Sequence, residues 1–515
     1  MEIIPFIMYS RGPELPELLS PIPVNSLFAD RVREFGDRTA VDYFGRKLSY
    51  REVYSMASSL VGQLEEKVNP GDVVALATQN VPQFPIVQLA LWSLRASVLP
   101  MNPAYRSQEM SYLIRDSWAK LLIASCEAPT VEGVETLRTN PETFGDIPKE
   151  LEEKWGVNTS CEEQLDFKSS GRLSSPQIGD LALLLYTSGT TGKPKGVPIT
   201  QKNVFASSTI YRRWFDFRDD VVLGIAPFYH ITGQIFHLTT PLISGSTILT
   251  TYRFDPSYSL SVVEEGKTTV TMAVATAYRA MLSSYDGQDL SSMRLWSSGG
   301  MPMPLAWERE WKGLTGSWIY MAWGLTETTS PATLWPYPFT GELPVDSETG
   351  VVSSGVPVYN TEVMINQEGE VLVRGEQVVR GYWRSGEFQG GWLPTGDLGK
   401  ILDGWVFILD RKKDVINTSG FKVMPREVEE VLLSHPGVLE AAVVGEPDPY
   451  RGEAVIAYVK PKDESLSSVL PEELTTYCRN RLAPYKVPRQ IRIVKEIPKT
   501  PSGKIMRRAL RDREV

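Results

Sequence analysis

Tyr186-Thr187-Ser188-Gly189-Thr190-Thr191-Gly192-Lys193-Pro194-Lys195-Gly196-Val197 follows directly on the apolar run Leu181-Ala182-Leu183-Leu184-Leu185. The run reads as a buried strand. The segment after it is dense in glycine, hydroxyl groups and lysine. Its glycines let backbone amides approach a ligand closely. Its hydroxyls are short donors, and its lysines carry charge. Such a loop suits a polyanion, and a nucleoside triphosphate is the commonest candidate. It is not the phosphate loop of P-loop proteins, which needs four residues between a glycine and a Gly-Lys-Ser/Thr end. Here Gly192-Lys193 runs into Pro194, and Gly189 stands too close. A flexible linker rarely combines this density of donors with two lysines.

Outward from the loop, short apolar runs recur. They are Val73-Val74-Ala75-Leu76-Ala77, Leu121-Leu122-Ile123-Ala124, Val221-Val222-Leu223-Gly224-Ile225 and Thr269 to Val274, with amphipathic stretches between them. That alternation predicts an α/β architecture with buried parallel strands. Residues 127–176 are polar and poorly periodic, and read as a surface excursion. After about residue 355 the pattern changes. Glu362 to Asn366 and Glu370 to Arg374 flank a turn with Gly369, and Asp403-Gly404 separates Leu402 from Trp405 to Leu409. Both read as hairpins. The last hundred residues predict helix (Pro425 to Leu433), strand (Leu439 to Val444), strand (Glu453 to Lys460) and helix (Pro471 to Leu482), a small α+β unit. The charged stretch Asp410-Arg411-Lys412-Lys413-Asp414 suits a mobile linker, which divides the chain into 1–410 and 411–515.

The 515 residues suffice for two or more domains. Apolar content of 42% and charged content of 22% are ordinary for a globular protein. The net charge of −9 argues against nucleic acid as a partner, though one basic loop is enough for a nucleotide. Cys126, Cys161 and Cys478 form no Cys-x-x-Cys pair, so neither a zinc site nor a disulfide framework is expected. His230, His237 and His435 are too scattered for a metal cluster. No stretch approaches the ~20 apolar residues that span a bilayer. No targeting signal is evident either, and a cytoplasmic protein is expected.

Further segments belong with the loop: Pro227-Phe228-Tyr229-His230, Ser298-Gly299-Gly300, Trp323-Gly324-Leu325-Thr326-Glu327-Thr328, Thr395-Gly396-Asp397-Leu398-Gly399, Asp410 to Asp414, and Pro501-Ser502-Gly503-Lys504. In this order and spacing the chain resembles the adenylate-forming superfamily of acyl-CoA synthetases, peptide-synthetase adenylation domains and beetle luciferases, from about residue 25 to 510. The resemblance implies a large multi-subdomain N-terminal domain with mixed sheets and a β-rich portion, and a small mobile α+β C-terminal domain. It implies ATP, Mg2+ and coenzyme A as the small molecules used with a carboxylic acid. The carboxylate would attack the α-phosphate of ATP, and the thiol of coenzyme A would then displace AMP. A monomer or homodimer is expected.

Residue by residue, Lys504 matches the family lysine that bridges carboxylate and α-phosphate, where such a charge contributes a few kcal/mol per donor. Glu327 matches the magnesium ligand, in keeping with one carboxylate plus phosphates and waters. Thr326 looks like a phosphate or acyl-carbonyl contact. Thr187, Ser188, Gly189, Thr190, Thr191, Gly192, Lys193 and Lys195 would hold the pyrophosphate end of ATP. Asp397 matches the ribose-diol acceptor and Arg411 its companion. Gly299 and Gly300 would let the adenine edge approach, and Trp323 fills the aromatic stacking slot where tyrosine is commoner. Lys413 falls at the hinge. Gly420 and Lys422 fall in the segment that lines the coenzyme A tunnel in a second orientation, and Asn417 stands where several relatives carry lysine.

His230 matches a residue that lines the acyl pocket, without acid–base work. Gly324 stands where acetate-specific relatives carry a tryptophan that blocks the pocket, which implies an open tunnel. Each buried methylene contributes ~0.8 kcal/mol, so the expected acid is a medium- to long-chain fatty acid. Thr232 and Gln234, if they face the pocket, favour a hydroxy or aromatic acid instead. A free-standing adenylation enzyme would need a carrier protein, and no carrier segment follows Lys504. A non-catalytic nucleotide-binding protein would usually have lost Lys504, Glu327 or the glycine-rich loop.

Overall fold

The computed structural model describes residues 8–169, 171–187, 194–500 and 503–512. The apolar run before the loop is the strand Leu181–Thr187, next to Ser97–Pro100 in a six-stranded sheet. Its other neighbour, Lys195–Thr200, returns antiparallel after the glycine-rich segment. Val73–Ala77 and Leu121–Ser125 are buried at every position and pair in parallel. Parallel strands covered on both faces read as unbroken apolar runs, which is why their bounds follow the sequence closely.

A nine-stranded sheet lies beside it, with Ile319–Trp323, Leu295–Ser298, Val270–Ala273 and Val221–Gly224 as consecutive parallel neighbours. One hydrophobic cluster joins the two sheets, from Val74 and Leu183 to Leu223 and Leu295. The helix Gln83–Ser93 is buried at every residue. A helix apolar all round belongs inside a core.

A third sheet holds Met8–Arg11, Thr361–Ile365, Glu370–Gly375, Leu393–Leu402 and Trp405–Arg411. The two expected hairpins are there. Asp403 (φ 49°) and Gly404 (φ 82°) are both left-handed, as a two-residue hairpin turn requires. The last sheet combines Phe421–Val423, Ile416–Thr418, Gly452–Pro461 and Val438–Asp448, with Gln490–Ile493 parallel to Gly452–Pro461. The helices Pro425–Leu433 and Leu470–Arg479 accompany it. Part of this unit has its own apolar cluster, including Ala442, Val444, Ile456, Tyr458 and Leu510.

Two expectations are corrected. Residues 127–176 are not only a surface excursion: Glu135–Thr139 extends the six-stranded sheet beyond Leu121–Ser125, and Lys149–Trp155 is a helix. An edge strand with one exposed side has no apolar run to announce it. Against the expectation of no disulfide, Cys126 is bonded to Cys161, 35 residues away. The returning chain is laced to that edge strand, Gln164 N–H donating to Arg138 O at 2.9 Å and Asn140 Nδ2 to Cys161 O at 2.9 Å. Spacing in the sequence carries no trace of that return. Among the described residues no helix is long and apolar enough to cross a membrane.

Candidate active site

The parallel strands of the nine-stranded sheet end at the same place. Leu295–Ser298 runs into Gly299-Gly300, Ile319–Trp323 into Gly324, and Val270–Ala273 into the helix Ala275–Ser284. Carboxyl ends of parallel strands are where open α/β sheets bind ligands. Lys504 reaches this point from the C-terminal unit. A Cβ added to Gly300 would lie 3.1 Å from Lys504 Cε and 3.4 Å from its Nζ. Gly300, at φ 82°, thus leaves room for the lysine as well as sparing strain.

The third sheet supplies the next pair. Asp397 and Arg411 face one another across the antiparallel ladder. Arg411 Nε lies 2.7 Å from Asp397 Oδ1, and Trp323 Nε1 donates to Asp397 Oδ2 at 2.9 Å. The indole edge of Trp323 therefore orients the carboxylate expected to hold a ribose. Glu327 is buried on a short helical turn, Thr326–Thr328, and its Oε1 accepts from Tyr382 Oη at 3.0 Å. After that turn Thr329 (φ 50°) and Ser330 (φ 90°) are both left-handed, and Ser207 Oγ donates to Thr329 O. Strain of this kind persists where surrounding contacts hold it and collects at functional sites. Lys195 Nζ stands 4.8 Å from the centre of the Tyr382 ring, a cation–π contact.

The charges act on one another. Burial, then the neighbouring Arg411 charge, pushes the Lys504 ammonium down to about 8, against the pull of Asp397 and Glu327. Burial raises the Asp397 carboxyl, and Arg411, Trp323 and Lys504 oppose that rise. His230 is pushed down to about 3, first by burial and then by Lys504, so it is neutral at physiological pH. Its Nδ1 accepts from the Thr232 amide at 3.4 Å, which leaves the ring proton on Nε2. Arg411 and Lys504 act on Asp397 and Glu327, and Lys195 stands over the Tyr382 ring whose hydroxyl reaches Glu327, a positive balance suited to a polyphosphate.

Mg2+ needs few protein ligands where phosphates and waters supply the rest. Glu327 fits that demand: a carboxylate steered by one tyrosine hydroxyl, beside the positive groups that would hold phosphates. Among the described residues no group of three or more acidic, histidine or cysteine side chains forms a metal cage.

Other expected residues lie elsewhere or read differently. Ser188, Gly189, Thr190, Thr191, Gly192 and Lys193 lie outside the described residues, as do Pro501 and Ser502. Thr187 ends its strand and pairs with Lys195, and Thr326 opens the Glu327 turn. Gly420 (φ 84°) is exposed with open space where a Cβ would stand, and Lys422 is exposed. Lys413 is exposed in the turn after Trp405–Arg411.

The reading of Gly324 as cleared pocket space is corrected. A Cβ there would meet Ser330 O at 1.5 Å, so glycine is required by the returning backbone, which fills the room. Gln234 is buried and donates to Phe228 O at 2.6 Å, which closes the His230 turn on itself. Gly233–Thr239 then continues as a wide π-type helix, with Gly233 pressed on Pro227 O.

Several residues that shape the site were not anticipated. Trp383 N–H donates to Gly196 O at 2.8 Å, and a Cβ on Gly196 would lie 2.8 Å from Trp383 Cβ. Tyr112 Oη donates to Pro194 O at 3.2 Å. Together these fix the end of the glycine-rich segment and so the root of Lys195. The run Arg380-Gly381-Tyr382-Trp383 was the available signal, a glycine beside two aromatics in a polar loop.

Glycine-cleared strand ends, a carboxylate paired with arginine and a lysine arriving from a second unit thus meet at one place. The chain belongs to the AMP-binding enzyme family: that model matches residues 28–383, and the AMP-binding enzyme C-terminal domain matches 427–504. It is 32% identical to the long-chain-fatty-acid–CoA ligase of Bacillus subtilis (strain 168), with 99% of each chain covered. Among solved structures, the anthranilate CoA ligase AuaEII in complex with anthranoyl-AMP is 26% identical and superposes with a TM-score of 0.82, over 96% of this chain and 97% of that one. ATP-bound MatB from Rhodopseudomonas palustris, 27% identical, superposes at 0.80 over 96% of this chain and 99% of its own. The apo form of the same protein reaches 0.70 at the same coverage, so the arrangement here is nearer the ATP-bound one. The protein is an AMP-forming acid–CoA ligase that uses ATP, Mg2+ and coenzyme A.

Proposed function

We propose that the acid is a medium- to long-chain fatty acid, and that the gathered residues divide their work between two half-reactions. The observation that carries the division is Lys504, which sits against Gly300 and feels the charges of Arg411, Asp397 and Glu327. In the first half-reaction a carboxylate oxygen forms a bond to the α-phosphorus of ATP while the bond to pyrophosphate breaks. Two anions must meet, so Lys504 is placed to screen one from the other. Thr187, Ser188, Gly189, Thr190, Thr191, Gly192, Lys193 and Lys195 hold the departing pyrophosphate. Asp397 and Arg411 hold the ribose. Trp323, Gly299 and Gly300 border the adenine, and Thr326 contacts the phosphate or acyl carbonyl. Mg2+, when bound at Glu327, supplies positive charge to the phosphates. In the second half-reaction the coenzyme A sulfur, its proton lost, attacks the acyl carbonyl and AMP leaves.

Units 1–410 and 411–515 move about Lys413 between the two steps. The exposed Lys413 turn supports this, as do Gly420 and Lys422, which are exposed in this orientation. The enzyme acts in the cytoplasm, where ATP and coenzyme A are supplied, as a monomer or homodimer. His230 and Thr232 border the acyl group.

The fatty-acid reading is supported by the full-length likeness to the Bacillus subtilis ligase. One observation favours a hydroxy or aromatic acid: buried Gln234 Oε1 has no hydrogen-bond partner among the described residues, and a substrate hydroxyl could supply one. A panel of straight-chain, hydroxy and aromatic acids, read as pyrophosphate release, decides. For a fatty acid whose chain is buried, kcat/KM should rise about fourfold per methylene until the acyl site is full. Greatest activity on acetate, or on an aromatic acid, would defeat the fatty-acid assignment.

A further inference from the structure

Lys504 and Gly503 are hydrogen-bonded back to Thr500. Thr500 N–H donates to Lys504 O at 2.7 Å, Gly503 N–H to Thr500 O at 2.8 Å, and Lys504 N–H to Thr500 Oγ1 at 3.1 Å. These bonds tie Gly503 and Lys504 to Thr500, so a contact that grips Gly503 also places the lysine. Thr276 has that grip. It is buried in the first turn of Ala275–Ser284, directly after the strand Val270–Ala273, and its Oγ1 donates to Gly503 O at 2.8 Å. Gly503 has φ 82°, and a Cβ there would lie 2.9 Å from Val274 Cγ2 and 3.0 Å from Thr276 Oγ1. The backbone of the C-terminal unit thus seats directly on residues 274–276, with Lys504 continuing along Gly300.

A second contact joins the two units nearby. Leu305 N–H, at the start of the helix Leu305–Thr315, donates to Glu430 Oε2 at 3.2 Å.

We propose that Thr276 is a positioning residue for the first half-reaction: its hydroxyl docks the Gly503–Lys504 segment and so sets where the ammonium stands. Thr276 touches no reacting atom; it acts through Lys504. This inference rests on the adenylation role given to Lys504. When the C-terminal unit turns for thioester formation the Gly503 contact opens, so Thr276 has no part in the second step.

The test separates the half-reactions for Thr276→Val, Thr276→Ser and Lys504→Ala in the full-length enzyme. Acid-dependent pyrophosphate exchange reads the first, with whichever acid the panel turns over fastest. Coenzyme A consumption with the preformed adenylate of that acid reads the second. Thr276→Val should lower the exchange kcat about tenfold, the scale of one lost hydrogen bond, with coenzyme A consumption unchanged. Thr276→Ser, which keeps the hydroxyl, should restore exchange. A merely structural threonine would lower both halves together. The proposal is overturned if Thr276→Val lowers both halves alike or neither, or if Thr276→Ser is as deficient as Thr276→Val. Loss of exchange in Lys504→Ala alone removes the dock and leaves the lysine's role intact. Undiminished exchange in Lys504→Ala removes both.

Discussion

Lys504→Ala is expected to lower acid-dependent pyrophosphate exchange by about 10²- to 10³-fold, the range seen when one preorganised donor is removed from a charge-stabilising site. Thioester formation from a supplied acyl-adenylate should be nearly unchanged. The first effect follows from where the ammonium sits. It is pressed against Gly300 and surrounded by Arg411, Asp397 and Glu327, in a setting that discourages its charge. A charge held away from water acts more strongly on its neighbours than one in solvent. The meeting of carboxylate and α-phosphate is the step that needs it. The second effect follows from geometry. Gly420 and Lys422, expected to serve coenzyme A, are exposed, whereas Lys504 is packed against Gly300 beside Arg411, Asp397 and Glu327, so the proposed second step has no need of the lysine. Equal loss in both half-reactions would contradict this division of labour.

Glu327→Gln should lower kcat/KM for MgATP on the order of 100-fold and move the magnesium saturation curve to higher concentration. The substitution keeps the shape of the side chain. Tyr382 Oη can still donate to the remaining oxygen, as it now does to Oε1 at 3.0 Å. What is lost is the negative charge, in a site where Lys195 and Lys504 are otherwise in excess. Steady-state rates across a magnesium titration measure both effects. An unchanged magnesium dependence would remove Glu327 from the metal site.

Much of the frame was legible because burial leaves a simple mark. Val73–Ala77 is five apolar residues covered on both faces, and its ends coincide with the run in the sequence. Pro425–Leu433 begins at a proline, which fits a first helical position. Asp403-Gly404 supplied the turn chemistry of its hairpin. What was not legible depends on contacts between distant segments. Glu135–Thr139 is a strand because Leu121–Ser125 offers it an edge, and Cys126 meets Cys161 because the chain returns along that edge. Gly324 carried a plausible meaning in the sequence, yet its smallness answers to Ser330 O, six residues on. Tyr382 and Thr276 carry no motif of their own. The first is defined by Glu327, 55 residues away, and the second by Gly503, 227 residues away.

In the proposed adenylation step a protonated lysine, delivered by the C-terminal unit, screens one anion from another. The pH dependence of kcat/KM for MgATP in the adenylation half-reaction tests it most directly, because that ratio reports groups in the free enzyme. Burial and the Arg411 charge favour the neutral amine, while Asp397 and Glu327 oppose them, so the working proton leaves below the usual lysine range. Neutral His230 contributes no charge of its own. The rate should therefore fall as pH rises through about 8. In Lys504→Arg the guanidinium keeps its proton, and that limb should disappear. A wild-type profile flat to above about pH 10, beyond the range of an ordinary lysine, would contradict the claim, as would the same alkaline limb in the arginine variant.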